Sequence, residues 1–252
     1  MRDEGAEGEA MSEPQITVRR ETVIKVPPAR VFDAWTDPEE IPRWYVERQE
    51  GDPRRDDRIV WFITSEDLGG EGEPFAVRAA ERGRRLVLEN VGEEPWRGTV
   101  LDVALVPEGN GTRVVVEQSG FSEGVRGFAP VVDSGWAQVL AILKEYLERH
   151  AGERRRTAEA RRRVEPDPAV VAEAFASAKA IAEWAGEAPE RVLAMTPRGA
   201  VVAFPGIRGV FAFMGVGGAV VWASLWGDGD LERAKRKAED LAERLAARIV
   251  AA

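Results

Sequence analysis

The sequence predicts an α+β protein in two units: an antiparallel sheet wrapped on a long C-terminal helix, a helix-grip arrangement, then a small α-β-β-β-β-α unit. Three observations carry this prediction. Strand-like runs between Tyr45 and Gln118 are separated only by short stretches rich in Gly, Pro, Asn and Asp, which leaves no room for the helical crossovers of a parallel sheet. One long amphipathic segment, roughly Pro130–His150, comes directly after them. Pro166 and Pro168 then mark a boundary, beyond which a second set of elements begins.

The elements follow in order. Ile16–Val26 (ITVRRETVIKV) is rich in β-branched residues and stops at Pro27-Pro28, so it reads as a strand. Ala29–Trp35 has helical apolar spacing, with Val31, Phe32 and Trp35 on one side. Thr36-Asp37-Pro38 ends that helix and caps a second short one, Glu39–Trp44. Arg58–Thr64, Phe75–Glu81, Arg84–Val91, Arg97–Val106 and Thr112–Gln118 read as strands, and PEGNG at 107–111 as a hairpin turn. In Pro130–His150, the residues Trp136, Val139, Leu140, Leu143 and Leu147 form a single stripe. That stripe must be buried, and the apolar face of the sheet is the large surface available.

In the second unit, Val170–Ala185 is an amphipathic helix, and Arg191–Thr196, Ala200–Phe204, Val210–Met214 and Ala219–Trp226 are strands. Asp230–Val250 closes it as a helix capped by Asp228 or Asp230. GVFAFMGV and AVVWASLW are nearly continuous apolar runs, which require burial on both faces. Two helices cover one face; a second copy or the first unit of the same chain must cover the other. A homodimer through residues 166–252 is the expectation. The stretch 149–163 carries seven arginines against two glutamates, so 151–165 reads as a solvated linker or helix extension. Residues 1–15 read as a disordered acidic tail.

Charge and composition exclude several classes. Residues 1–150 hold 30 acids against 19 bases, and residues 151–252 hold 14 against 16. A first unit this acidic argues against a nucleic-acid partner, because phosphate binding needs a basic surface. No apolar run is long enough for a membrane span, and the N-terminus lacks the apolar core of a signal peptide, which points to a cytoplasmic protein. Without cysteine there is no disulfide, thiolate metal site or cysteine nucleophile.

Catalytic motifs are missing as well. The lone histidine, His150, cannot build a multi-histidine metal centre and reads as a solvated residue near a helix C-terminus. There is no G-x-S-x-G elbow, and neither LGGEGE at 68–73 nor GVGG at 215–218 has the pattern of a phosphate loop. No catalytic residue, metal or cofactor is expected. Strand parity defines an interior instead. Asp102 facing out sends Thr99, Leu101, Val103 and Leu105 in, and Arg113 and Glu117 facing out send Val114, Val116 and Gln118 in. Arg78 outward puts Phe75, Val77 and Ala79 inside; Glu89 outward puts Leu86 and Leu88 inside, with Asn90 next on that parity. Both faces of Arg58–Thr64 are apolar, so parity does not place Trp61. Thr99 and Gln118 are then the polar groups of an otherwise apolar interior.

VIKVPPARVFDAWTDPEEIPRW, GNGTRVVVEQSGF and GWAQVLAILKEYLE resemble, in the expected order, the opening, last strand and C-terminal helix of START-like (SRPBCC) domains of the AHSA type. The resemblance covers residues 16–150. It implies a cavity between sheet and helix that in relatives holds lipids or other apolar small molecules, and no fixed catalytic set. On that implication the ligand-binding candidates are Trp61, Phe75, Leu88, Thr99, Leu101, Gln118, Trp136 and Leu140. A protein-contacting regulatory module, as in chaperone-activating relatives, is the rival reading, and a cyclase- or hydrolase-like enzyme a third. Residues 166–252 are more weakly similar to half of a Roadblock/LC7 domain; a truncated second helix-grip unit reads as well.

Overall fold

Pro27 and Pro28 end β1 (Val18–Ile24) and open α1 (Pro28–Thr36), where Pro28 occupies a first-turn position whose N–H would have no partner anyway. The computed structural model describes residues 16–63, 72–165, 167–215 and 218–251. The tail expected at 1–15, the end of the predicted strand at Thr64, the boundary residue Pro166 and parts of the two glycine-rich stretches lie outside the described residues. After α1, the second expected short helix is a single 3-10 turn, Ile41–Arg43.

The strands that follow are β2 (Arg48–Glu50), β3 (Arg58–Phe62), β4 (Glu73–Glu81), β5 (Arg85–Asn90), β6 (Val100–Glu108) and β7 (Gly111–Ser119). With β1 they form one antiparallel sheet in the order β1-β7-β6-β5-β4-β3-β2. β2 was not expected; three residues, two of them charged, carry no alternation to read. The parity assignments for β5, β6 and β7 hold: Leu86, Leu88, Leu101, Val103, Val114 and Val116 are all buried in one core. On β4 they hold only as far as Val77. The register slips by one between Val77 and Ala79, so Ala80, opposite Leu86, takes the inward place expected for Ala79.

A short helix, α2 (Glu123–Arg126), leads into α3 (Ala129–Glu145), which ends in a π-helical turn at Tyr146–His150. α3 is not buried along a single stripe. Trp136 and Leu143 face the first sheet's core, while Ser134, Gln138 and Glu145 are also buried, at the 4-7-11 spacing of a second face.

That second face belongs to the second sheet. Its strands are β8 (Arg155–Arg162), β9 (Arg191–Thr196), β10 (Gly199–Ala203), β11 (Gly209–Met214) and β12 (Ala219–Trp226), in the order β8-β12-β11-β10-β9. The arginine-rich stretch expected as a solvated linker is therefore an edge strand, paired along its whole length with β12. Its own pattern is not strand-like; the unpaired edge of apolar β12 supplies the partner. The single helix expected at Val170–Ala185 is two, α4 (Pro168–Ala174) and α5 (Ala178–Ala185), because Ser177 caps the second by accepting a bond from Ala180 N at 3.1 Å. α6 (Leu231–Val250) begins at Asp230, whose side chain accepts from Arg233 N at 2.9 Å.

Burial on both faces is observed. Val202, Phe211, Phe213, Val221 and Leu225 pack with α4, α5 and α6, while Val201, Ala203, Val210, Ala212 and Trp226 join the core of the first sheet and α3. The face for which a second copy was expected is thus covered by α3 of the same chain, and the argument for a homodimer through 166–252 falls away. The approach is close. A Cβ on Gly199 would lie 2.0 Å from Phe213 O and 2.7 Å from Gln138 Nε2, so only glycine fits there. Ser134 and Thr196 share a hydroxyl hydrogen bond of 2.5 Å across the junction.

His150, expected in solvent, is 8% exposed and stacks on Trp226 with ring centroids 4.7 Å apart. Trp226 Nε1 donates to Arg43 O at 2.7 Å, which ties β12 to the turn before β2. Among the described residues no helix is long and apolar enough to cross a membrane, and no His/Asp/Glu group could hold a metal ion.

Candidate ligand-binding cavity

Where α3 rides over β3–β7, the two do not close completely. A cavity of about 280 Å³ remains, close to the lower end of the roughly 300–1,000 Å³ common for small-molecule sites. Its sheet side carries Trp61 from β3, Phe75 from β4, and Leu101 and Gln118 from β6 and β7. Trp61 is therefore an inward residue, which parity alone did not settle. Thr99, just before β6, and Trp136 on α3 complete six of the eight sequence-derived candidates around one space.

Leu88 and Leu140 lie elsewhere. Leu88 is fully buried between Val77 and Leu101 on the sheet, in the packed core and not on the cavity wall. Leu140 lines the groove between α3 and β9 instead. The cause is the two-sided burial of α3. Val132, Gly135, Trp136 and Val139 form its cavity face, and Leu140, one residue and 100° further on, turns toward the second sheet.

The wall is pinned by indole hydrogen bonds. Trp136 Nε1 donates to Gln118 Oε1 at 2.7 Å, joining helix to sheet across the space. Trp61 Nε1 donates to Gln49 Oε1 at 2.7 Å, and buried Gln49 in turn donates to Gly51 O at 3.0 Å. Because an indole N–H only donates, both amide oxygens are fixed as acceptors, and Gln118 keeps its NH₂ for other partners. Tyr45 stands edge-on to Trp61 at 5.6 Å, and Trp61 lies 4.9 Å from Phe75. Trp96 also lines the space and meets Phe128, which is 51% exposed, at 6.3 Å.

Eight of the lining residues were not among the sequence-derived candidates, and three of them, Glu73, Tyr45 and Gly135, shape what the cavity can hold. Glu73 pairs with Trp61 across β3 and β4 and shares the parity of Phe75 two residues on, a signal hidden by placing the start of the strand at Phe75. Burial pushes its carboxyl above the ordinary range, with no cation opposing the shift. Tyr45 is pushed up too, by burial first and by the Glu73 charge second. Gly135 sits mid-helix, where glycine costs roughly 1 kcal/mol against alanine. A Cβ there would meet nothing within 4 Å, so its effect is to leave the cavity open.

A helix gripped by an antiparallel sheet around an aromatic-lined space defines a START-like domain. Residues 25–148 match the family model described as activator of Hsp90 ATPase homolog 1-like protein. Among similar solved structures, the Aha1 dimer from Colwellia psychrerythraea is 23% identical with a TM-score of 0.46, the match covering 54% of this chain and 99% of that one. MLL2253 from Mesorhizobium loti is 27% identical with a TM-score of 0.46, covering 54% and 98%. DynU16 from the dynemicin biosynthetic locus is 18% identical with a TM-score of 0.47, covering 94% of this chain and 98% of that one. No curated protein matches the chain. The Roadblock/LC7 likeness of residues 166–252 gains no support from these matches.

Proposed function

We propose that the first unit binds a small, largely apolar molecule between its sheet and α3, and that the second unit holds α3 in place from behind. The observation that carries this is the combination at Gly135: a glycine in the middle of a helix, facing a space lined by aromatic rings and a few polar groups. A helix selected only for packing gains from a side chain at that position; one that must admit a ligand does not. Unused polar groups fix the ligand's orientation. Among the described residues, the amide nitrogens of Gln118 and Asn90 make no hydrogen bond, while their oxygens accept from Trp136 Nε1 at 2.7 Å and Gly92 N at 2.9 Å.

Isothermal titration with neopentylbenzene, a neutral molecule of suitable size, tests the reading. The wild-type protein should bind it, and Gly135→Leu, which fills the space, should remain folded and lose binding. A wild-type protein that takes up no such probe, or a Gly135→Leu variant that binds as well, would overturn it.

A further inference from the structure

Among the described residues, the cavity is lined by one carboxylic acid and no base. Its lining includes Glu73 and Tyr45 as titratable groups, and no lysine, arginine or histidine. The Glu73 carboxylate makes no hydrogen bond or ion pair among the described residues, although almost every other part-buried acid of the first unit is paired: Glu40 with Arg30, Asp52 with Arg54, Glu145 with Arg191. It shares the lining with aromatic rings: Tyr45, Trp61 and Phe75 form a continuous wall, with Trp136 completing it from the helix side.

A carboxylate among apolar rings is costly to keep ionised, and a neutral apolar ligand offers it no compensating charge. A cation reverses the effect. It restores the charge balance of the carboxylate, and the negative faces of the rings attract it directly. An anionic ligand, a fatty-acid carboxylate for example, would meet repulsion from Glu73 with no base to offset it.

Resting on the cavity reading above, we infer that this site selects a small organic cation, an alkylated or protonated amine with an apolar body, whose charge is received by Glu73 against the faces of Tyr45, Trp61 and Phe75. Glu73 is then the specificity-determining residue, and the aromatic wall supplies affinity that does not depend on charge.

The test uses three probes on the full chain: benzyltrimethylammonium, its uncharged carbon isostere neopentylbenzene, and the anion phenylacetate. The cation should bind at least tenfold more tightly than neopentylbenzene, and phenylacetate more weakly than both. Glu73→Gln should remove the cation's advantage while leaving neopentylbenzene affinity within about twofold. Equal binding of cation and isostere, or a preference that survives Glu73→Gln, overturns the inference while leaving the cavity reading intact. Failure of all three probes overturns both. Should the variant not fold, the wild-type protein still decides. Glu73 and Tyr45 are the titratable groups on the wall, so the cation's advantage must shrink as Glu73 is protonated at acid pH while neopentylbenzene binding stays level. A flat profile overturns the inference.

Discussion

Arg191 on β9 donates from both terminal nitrogens to the two carboxylate oxygens of Glu145 on α3, at 2.6 and 2.7 Å. The bidentate pair joins the second sheet to the back of the helix that roofs the cavity. The Glu145 side chain is 4% exposed, so its charge is acceptable only while paired. Burial alone would raise its carboxyl; the bonds from His150 and Arg191, with the charges of Arg191 and Arg149, outweigh that and hold it at about 2.

Arg191→Ala should therefore destabilise the chain by about 3 kcal/mol, since it removes the bidentate partner of a buried carboxylate and leaves only the longer contacts of Arg149 and His150. Urea denaturation measures this. A loss no larger than that of an exposed surface pair would show that the junction does not depend on the bridge. The pH dependence has a definite sign. A carboxyl held below its ordinary value of 4.5 contributes stability above that value and loses it as pH falls toward about 2. Glu145→Gln should be less stable than wild type at neutral pH and should show a smaller acid-induced loss.

Arg155 on β8 reaches across to the first unit and donates to the backbone oxygens of Trp44 and Tyr45 at 2.6 Å and of Val46 at 3.0 Å. Burial lowers its guanidinium to about 10, with Glu47 opposing the shift, so it stays charged at neutral pH. Arg155→Gln should cost about 2–4 kcal/mol, because three carbonyls lose a charged donor in a half-buried place. It should also weaken probe binding, since Tyr45 lines the cavity. Arg154→Gln, one residue away and exposed, is the control and should change neither quantity. Equal effects of the two substitutions would return the arginine run to a charged connector.

The contrast between Arg154 and Arg155 marks where the sequence stops being legible. Alternation on β5, β6 and β7 is a property of the chain itself, so Thr99, Leu101 and Val116 could be placed inward by parity. The double-faced burial of β10–β12 was equally visible in GVFAFMGV and AVVWASLW. Which surface covers the second face was not, because the answer depends on Ser134, Gln138 and Glu145 of α3 sharing a face that looks polar in isolation. β8 and the burial of His150 were hidden for the same reason: both are created by the neighbouring β12, not by their own pattern. In the cavity, Tyr45 was passed over, while Trp61, Phe75 and Trp136 announced themselves by bulk. Gly135 and Glu73 did not, since each breaks a local preference and is explained only by the space it faces.

Gly135→Ala separates stability from binding at the cavity roof. The added Cβ enters open space, so the helix should gain roughly 0.5–1 kcal/mol from the lower entropy of the unfolded chain. A single methyl takes up only part of the cavity, so neopentylbenzene affinity should fall by a few-fold, short of the abolition expected for leucine. Thermal melts and titration give the two numbers. A destabilised Gly135→Ala would mean that the space closes in solution and that the glycine serves helix packing.

Glu73 gives the last prediction, and its sign is opposite to that of Glu145. Its carboxyl is raised in the folded protein by burial, so the folded state binds a proton more tightly than the unfolded chain does. Stability is then highest where Glu73 is protonated and declines as pH rises from the ordinary carboxylate range through the raised value. Gln cannot ionise and is free of that decline. Glu73→Gln should melt at a higher temperature than wild type at neutral pH, and the two curves should converge at acid pH. Benzyltrimethylammonium should narrow the gap from the other side, stabilising wild type at neutral pH by more than it stabilises Glu73→Gln. Thermal melts from acid to neutral pH, with and without the cation, measure all of this. If wild type is the more stable form at neutral pH without ligand, Glu73 contributes to the fold itself and carries no cost awaiting a ligand.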